Sequence, residues 1–177
     1  MEINLLDILH DTTVDGPGFR TAVYCAGCAH HCPGCHNPQS WPFEAGKPTA
    51  VEDILEEILS DPFADVTFSG GDPFYQAEAF TALAHLIHTR SQKNIWCYTG
   101  FCYEQLVSHP THKALLEQID VLVDGPFIAS LKDESLIFRG SSNQRIINVR
   151  ESLLQATIIP YDLHIFSPFM KISPQKV

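Results

Sequence analysis

Apolar positions along this chain switch repeatedly between a period of two and a period of 3.6. Arg20–Cys25 (Arg-Thr-Ala-Val-Tyr-Cys) is a short β-prone run. Thr49 then opens a capping-box pattern with Glu52, and Val51, Ile54, Leu55, Ile58 and Leu59 fall on one face of the helix it predicts. Asp61-Pro62 stops that helix. A second strand is predicted over 65–69, ended by Gly70-Gly71-Asp72-Pro73. The next helix spans 76–89, with Phe80, Leu83, Ala84 and Ile87 on one side. A third strand over 94–98 closes at Thr99-Gly100, and a broken helical region runs over 103–118 around Pro110. A fourth strand over 119–123 ends at Asp124-Gly125-Pro126. Residues 144–154 fit a strand or a helix, and the tail 156–177 carries three prolines and no clear period.

Strand and helix in alternation imply an α/β fold with a mostly parallel sheet covered by helices. Ligands in such sheets sit at the carboxyl ends of strands, so the Gly-containing turns after the strands mark the edge where chemistry should gather. The 177 residues suit one domain, 1–177, with a real core. An apolar share of 45% and a mean hydropathy of −0.02 are those of a globular chain. No apolar run approaches the roughly 20 residues that span a bilayer, and the start lacks a signal-peptide pattern. A cytoplasmic protein without a membrane partner is the expectation. A formal charge of −10, with eleven scattered Lys and Arg, argues against a nucleic-acid partner. Six cysteines in such a compartment point to metal or redox chemistry rather than to disulfides.

Cys28, Cys32 and Cys35 give the spacing C-x3-C-x2-C in a loop short enough for three thiolates to converge. Thiolates suit iron–sulfur clusters or zinc. A structural zinc or a plain electron-transfer cluster wants four protein ligands. Three thiolates on a cubane instead leave one iron open, where an amino-acid head group could chelate. A zinc site completed by His30, His31 or His36 is the competing reading, and would make the chain a non-catalytic interaction domain. Cys25 is expected on a strand facing the core, and Cys97 and Cys102 are expected as free core thiols.

Asp15-Gly-Pro-Gly18-Phe-Arg20 followed by C-x3-C-x2-C-H-N-P resembles the glycyl-radical-enzyme activases of the radical-SAM superfamily. Ser69-Gly-Gly-Asp-Pro73, Trp96-Cys-Tyr-Thr-Gly100, Val121-Leu-Val-Asp-Gly125 and Phe138-Arg-Gly-Ser-Ser-Asn-Gln144 extend the likeness, in order, from about 15 to 148. Gly-Gly-Asp72 in place of Gly-Gly-Glu, and the short chain, favour the branch that acts on anaerobic ribonucleoside-triphosphate reductase. The resemblance implies a partial TIM-type β/α barrel of radical-SAM type. It implies a [4Fe–4S] cluster on Cys28, Cys32 and Cys35, S-adenosylmethionine as cofactor, the reductase as protein substrate and a flavodoxin- or ferredoxin-type electron donor. It matches Gly34, Cys35 and His36 to the stretch against S-adenosylmethionine. Gly70, Gly71 and Asp72 match the turn meeting its methionine group. Asp124 would contact a ribose, a cation or the incoming peptide, or simply form an Asp-Gly turn. Arg139, Ser141, Ser142 and Asn143 would line the mouth facing the target loop, or cap a turn. Asp15 and Arg20 would orient the partner or pair as surface charges. An activase for a formate-lyase-type enzyme, and a compact small-molecule enzyme such as a deazapurine-forming synthase, are the alternatives within the superfamily.

Overall fold

Seven strands form one sheet: β1 (Glu2–Thr12), β2 (Arg20–Cys25), β3 (Lys47–Ala50), β4 (Asp65–Gly70), β5 (Ile95–Tyr98), β6 (Val121–Asp124) and β7 (Arg145–Asn148). Five helices accompany it: α1 (Val51–Ser60), α2 (Ala77–Arg90), α3 (Tyr103–Ser108), α4 (Pro110–Leu116) and α5 (Val149–Gln155). The computed structural model describes residues 1–163; the rest of the tail given no role above lies outside the described residues. The spatial order is β3-β1-β2-β4-β5-β6-β7. The four predicted strands are the central, mutually parallel β2, β4, β5 and β6. β1 is antiparallel to both β2 and β3, and β7 is antiparallel to β6. β3 therefore runs with the central four, and most of the strands share one direction. β3 and β7 stand at opposite ends of this order and do not pair with each other, so the sheet is open rather than a closed barrel.

Period-two alternation sorts side chains onto the two faces. On one face Val23, Cys25, Val66, Phe68, Ile95, Cys97, Leu122 and Ile147 meet apolar residues from all five helices in one core. On the other, Trp96, Val121, Val123 and Ile146 form a smaller cluster, covered by Phe138, Tyr161 and Leu163. No helix among the described residues is long and apolar enough to cross a membrane.

Three local expectations change. β1 escaped sequence reading because its doublets Leu5-Leu6 and Ile8-Leu9 break alternation, and its pairing with β2 has irregularities at 5–7 and 9–12. Thr49 is not an N-cap. It lies in β3 and donates to Lys47 O at 3.0 Å, while Ala50 takes the cap position and Met1 O receives the Val51 N–H. The ambiguous 144–154 segment is strand and helix in turn: Asn148 ends β7 and caps α5, its Oδ1 accepting the Glu151 N–H at 3.1 Å.

Candidate iron–sulfur site

β2 ends at Cys25, and the chain leaves the sheet into the cysteine loop at the carboxyl edge of the parallel strands. Cys28 is buried, while Cys32 and Cys35 are half-buried. A tight turn between the last two is closed by Cys35 N–H on Cys32 O at 3.0 Å, with Gly34 at φ +78°. All six cysteines are free thiols. Cys25 and Cys97 face the helix-side core as expected, and burial pushes both thiols up. Cys102 does not. Half-buried, it takes the N-cap position of α3: its carbonyl oxygen accepts the Gln105 N–H at 2.9 Å and its own N–H goes to Gln105 Oε1 at 2.8 Å.

The Gly70-Gly71 turn presses directly on this loop. Gly71 N–H donates to Cys25 O at 2.7 Å and Asp72 N–H to Gly27 O at 2.9 Å. A Cβ on Gly71 would stand 2.5 Å from Gly27 O, and Gly70, at φ +105°, abuts the Cys25 backbone. Both glycines thus serve close approach of two backbones. Their contact is with the cysteine loop.

Asp72 has no carboxylate oxygen to spare. It is 1% exposed and accepts from Phe74 N (3.0 Å), Gly100 N (2.9 Å) and Thr99 Oγ1 (2.8 Å), with His30 Nε2 at 2.9 Å. The expectation that it meets a cofactor gives way to a buried junction of three loops. Asp124 is similar: fully buried, it accepts from Tyr103 N at 2.8 Å and from two nitrogens of Arg145. Arg145 also grips Glu104 and thereby holds that carboxyl below its ordinary range. Cys102, Glu104 and Asp124 bring ligand atoms within 4.8 Å of one another, and the bound guanidinium already supplies their cation. Asp124 is neither a ribose contact nor a bare Asp-Gly turn.

Arg20 is not a surface charge. It is 1% exposed, donates to Thr67 Oγ1 (2.6 Å), Val66 O (2.5 Å) and Asn94 O (3.1 Å), and lies over the Trp96 ring. Burial draws its guanidinium down to about 10. Asp15 accepts from Thr12 Oγ1 at 2.6 Å and Tyr24 Oη at 2.8 Å. Ser141 is buried and accepts from Ile128 N, Ser142 is exposed, and Asn143 Nδ2 donates to Pro126 O. Ser141 and Asn143 brace the 125–144 connection.

Two connecting cavities, of about 540 and 640 Å³, open beside the cysteine loop on the helix-free face. They share Val14, Asp15, His36, Asn37 and Tyr98. The first is flanked by Cys35, Phe127, Phe138 and Arg139, and the second by Tyr24, Ser69 and Gly70. Tyr24, Tyr98, Asn37 and Phe127 had no assigned role in sequence; the only signal was their place next to the glycine turns and the cysteines. Tyr98 Oη donates to Phe138 O at 3.2 Å, and burial raises both tyrosines well above the usual range.

The donor set fits a cluster better than a single ion. The histidines a zinc site would need are turned elsewhere: His30 to Asp72, His31 onto Trp41 and His36 toward Phe127.

A family model described as a 4Fe-4S single cluster domain matches residues 14–147, which include the whole cysteine loop. The anaerobic ribonucleoside-triphosphate reductase-activating protein of Escherichia coli K12 is 37% identical over 145 residues, 77% of this chain and 93% of that protein. Its namesake in Haemophilus influenzae is 34% identical over 154 residues, covering 81% and 97%. The one in Enterobacteria phage T4 is 31% identical over 139 residues, covering 75% and 86%. On this match the chain belongs to the family of anaerobic ribonucleoside-triphosphate reductase-activating proteins, with a 4Fe-4S single cluster domain.

Proposed function

We propose that this chain is a radical-SAM activase that installs a glycyl radical on an anaerobic ribonucleoside-triphosphate reductase. The observation that carries the reading is a loop of three free cysteines at the carboxyl edge of parallel strands, opening onto a groove. Cys28, Cys32 and Cys35 would hold a [4Fe–4S] cluster, and Gly34 and His36 would flank S-adenosylmethionine in that groove. A cluster held there would supply the single electron for reductive cleavage of S-adenosylmethionine to methionine, and that cleavage would in turn provide for removal of a hydrogen atom from a glycine Cα of the reductase.

The chain's own residues shape and dry the groove. Phe127, Leu136 and Phe138 give one wall an apolar surface. Tyr24 and Tyr98 donate their hydroxyl hydrogens to Asp15 Oδ1 and Phe138 O, tying residues of the cavity wall to one another. Cavities this open suit a protein loop better than a small molecule, which would be more enclosed. The reading requires a partial β/α barrel, and an open, mostly parallel sheet with helices on one face is compatible with it. An electron must come from outside the chain, and a flavodoxin- or ferredoxin-type protein is the source the reading requires.

The test is anaerobic reconstitution with iron and sulfide, reduction, and addition of S-adenosylmethionine and the candidate reductase. A glycyl-radical doublet on the reductase by electron paramagnetic resonance, with 5′-deoxyadenosine released, is expected. Cys32→Ala should abolish both while the circular dichroism spectrum is kept. Cleavage without a protein radical would redirect the search to a small-molecule substrate, and stoichiometric zinc without iron would sink the reading.

A further inference from the structure

β1 is eleven residues long, and β3, with four, covers only its first part. The β3 pairing runs from Glu2↔Ala50 to Leu5↔Lys47, whereas the pairing of β1 with β2 continues to Thr12↔Arg20. Among the described residues, then, no strand pairs with the outer edge of β1 over 6–12. Such an edge offers backbone N–H and C=O groups to an extended chain. The irregularities at 5–7 and 9–12 leave Asp7, Ile8 and Leu9 as its regular stretch, opposite Tyr24, Val23 and Ala22. An added strand would be short.

This stretch is continuous with the groove. Leu6, Asp7 and Leu9 line the 640 Å³ cavity together with Asn37, Ser69 and Gly70. Beside them the rim is apolar and open to solvent: Leu9 is 45% exposed and Val14 75%. From Leu5 toward the start of β1 the edge is taken by β3, so a chain laid along 7–9 must leave the sheet there. Leu5 is paired with Cys25, the residue from which the cysteine loop departs. The edge thus delivers a chain to the level of that loop.

Charge narrows the occupant. Between Leu6 and Thr12 the acidic side chains are Asp7 and Asp11, both exposed. The one basic group in this stretch, His10, is engaged, its Nε2 lying 2.8 Å from Glu57 Oε1. A second copy of the chain would bring like carboxylates together across the new pairing, at a net charge of −10 on each copy. A segment bearing Lys or Arg would meet them favourably.

We infer that the reductase docks a short extended segment bearing Lys or Arg as an added strand on Asp7–Leu9 of β1, leading its target glycine into the groove. The inference rests on the activase reading above. Main-chain bonds along the edge supply grip, and the flanking side chains supply selection.

The experiment is hydrogen–deuterium exchange of the reconstituted full chain, alone and with the candidate reductase, with electron paramagnetic resonance on the same mixture. The amides of 7–9 should exchange fast in the free chain and slow down when the reductase is added. The double variant Asp7→Asn/Asp11→Asn should bind the reductase several-fold more weakly at low salt, with the difference shrinking as salt is raised. A complex that yields the glycyl radical without slowing 7–9 would overturn the docking and leave the activase reading intact. Slow exchange in the free chain would overturn it too: the edge would be covered by the chain itself, or by a second copy if the slowing grew with concentration. Unchanged affinity of the double variant at low salt would overturn the basic character of the segment. A cluster-loaded chain that neither bound the reductase nor gave a radical would remove the reading beneath.

Discussion

On the helix-covered face of the sheet, Val23, Val66, Phe68, Ile95 and Leu122 are all fully buried and apolar. The alternate positions of these strands, on the other face, include Tyr24, Thr67, Ser69 and Tyr98, with Arg20 at the start of β2. The first face is held by close packing, without direction. The second has only the small apolar cluster around Trp96, and over β2 and β4 it is held by named hydrogen bonds: Arg20 donates to Thr67, and Thr67 and Tyr24 both donate to Asp15. Stability should therefore reside on the helix side, while the groove and the cysteine loop depend on a few polar and glycine contacts whose loss leaves the fold standing.

The comparison breaks hardest at Phe68. Its ring is fully buried and 4.9 Å from that of Phe80. Phe68→Ala should cost about 3–5 kcal/mol in urea unfolding. A cost under about 1 kcal/mol would mean that the helix-side cluster is not the principal core. Gly71→Val tests the other side. With Gly27 O 2.5 Å from the new Cβ, the loop must shift. The expected cost is about 1–3 kcal/mol, with most iron loading lost while the helical signal survives. Normal iron content with weaker S-adenosylmethionine binding would assign this glycine to the cofactor instead of the loop. The smallest effect belongs to Thr49→Ala, which should change stability by less than about 0.5 kcal/mol. A loss of about 1 kcal/mol, typical of an N-cap, would restore the capping box that the β3 pairing displaced.

Much of the helix side was legible in the sequence because packing faces repeat. Val51, Ile54, Leu55 and Ile58 announce α1, and all are buried. The cysteine spacing was equally plain, since three thiols in one short loop need no tertiary knowledge to be grouped. Arg20 was not legible. Its partners Val66 and Thr67 lie 46 and 47 residues away, and nothing local distinguishes a buried guanidinium from a surface one. Asp72 and Asp124 failed for the same reason: a carboxylate beside a glycine turn looks free until His30, Thr99 and Arg145 arrive from other segments. The irregularities of β1 hid it, because one extra residue moves every later side chain to the opposite face.

The stretch after α5 has a further consequence. Ile159 O receives the Asn148 N–H, Tyr161 N–H goes to Ile146 O, and Pro160 bridges Ile147. The outer rim of β7 is thereby occupied by the chain's own backbone. At the opposite rim, β3 is four residues long and includes Pro48, which has no N–H to offer. The β7 rim is therefore no ready template for an added strand: a partner that joined there by strand addition would first have to peel 159–161 away. At the other rim β3 pairs only Glu2–Leu5 of β1, and the stretch of β1 beyond Leu5 is the edge left for strand addition.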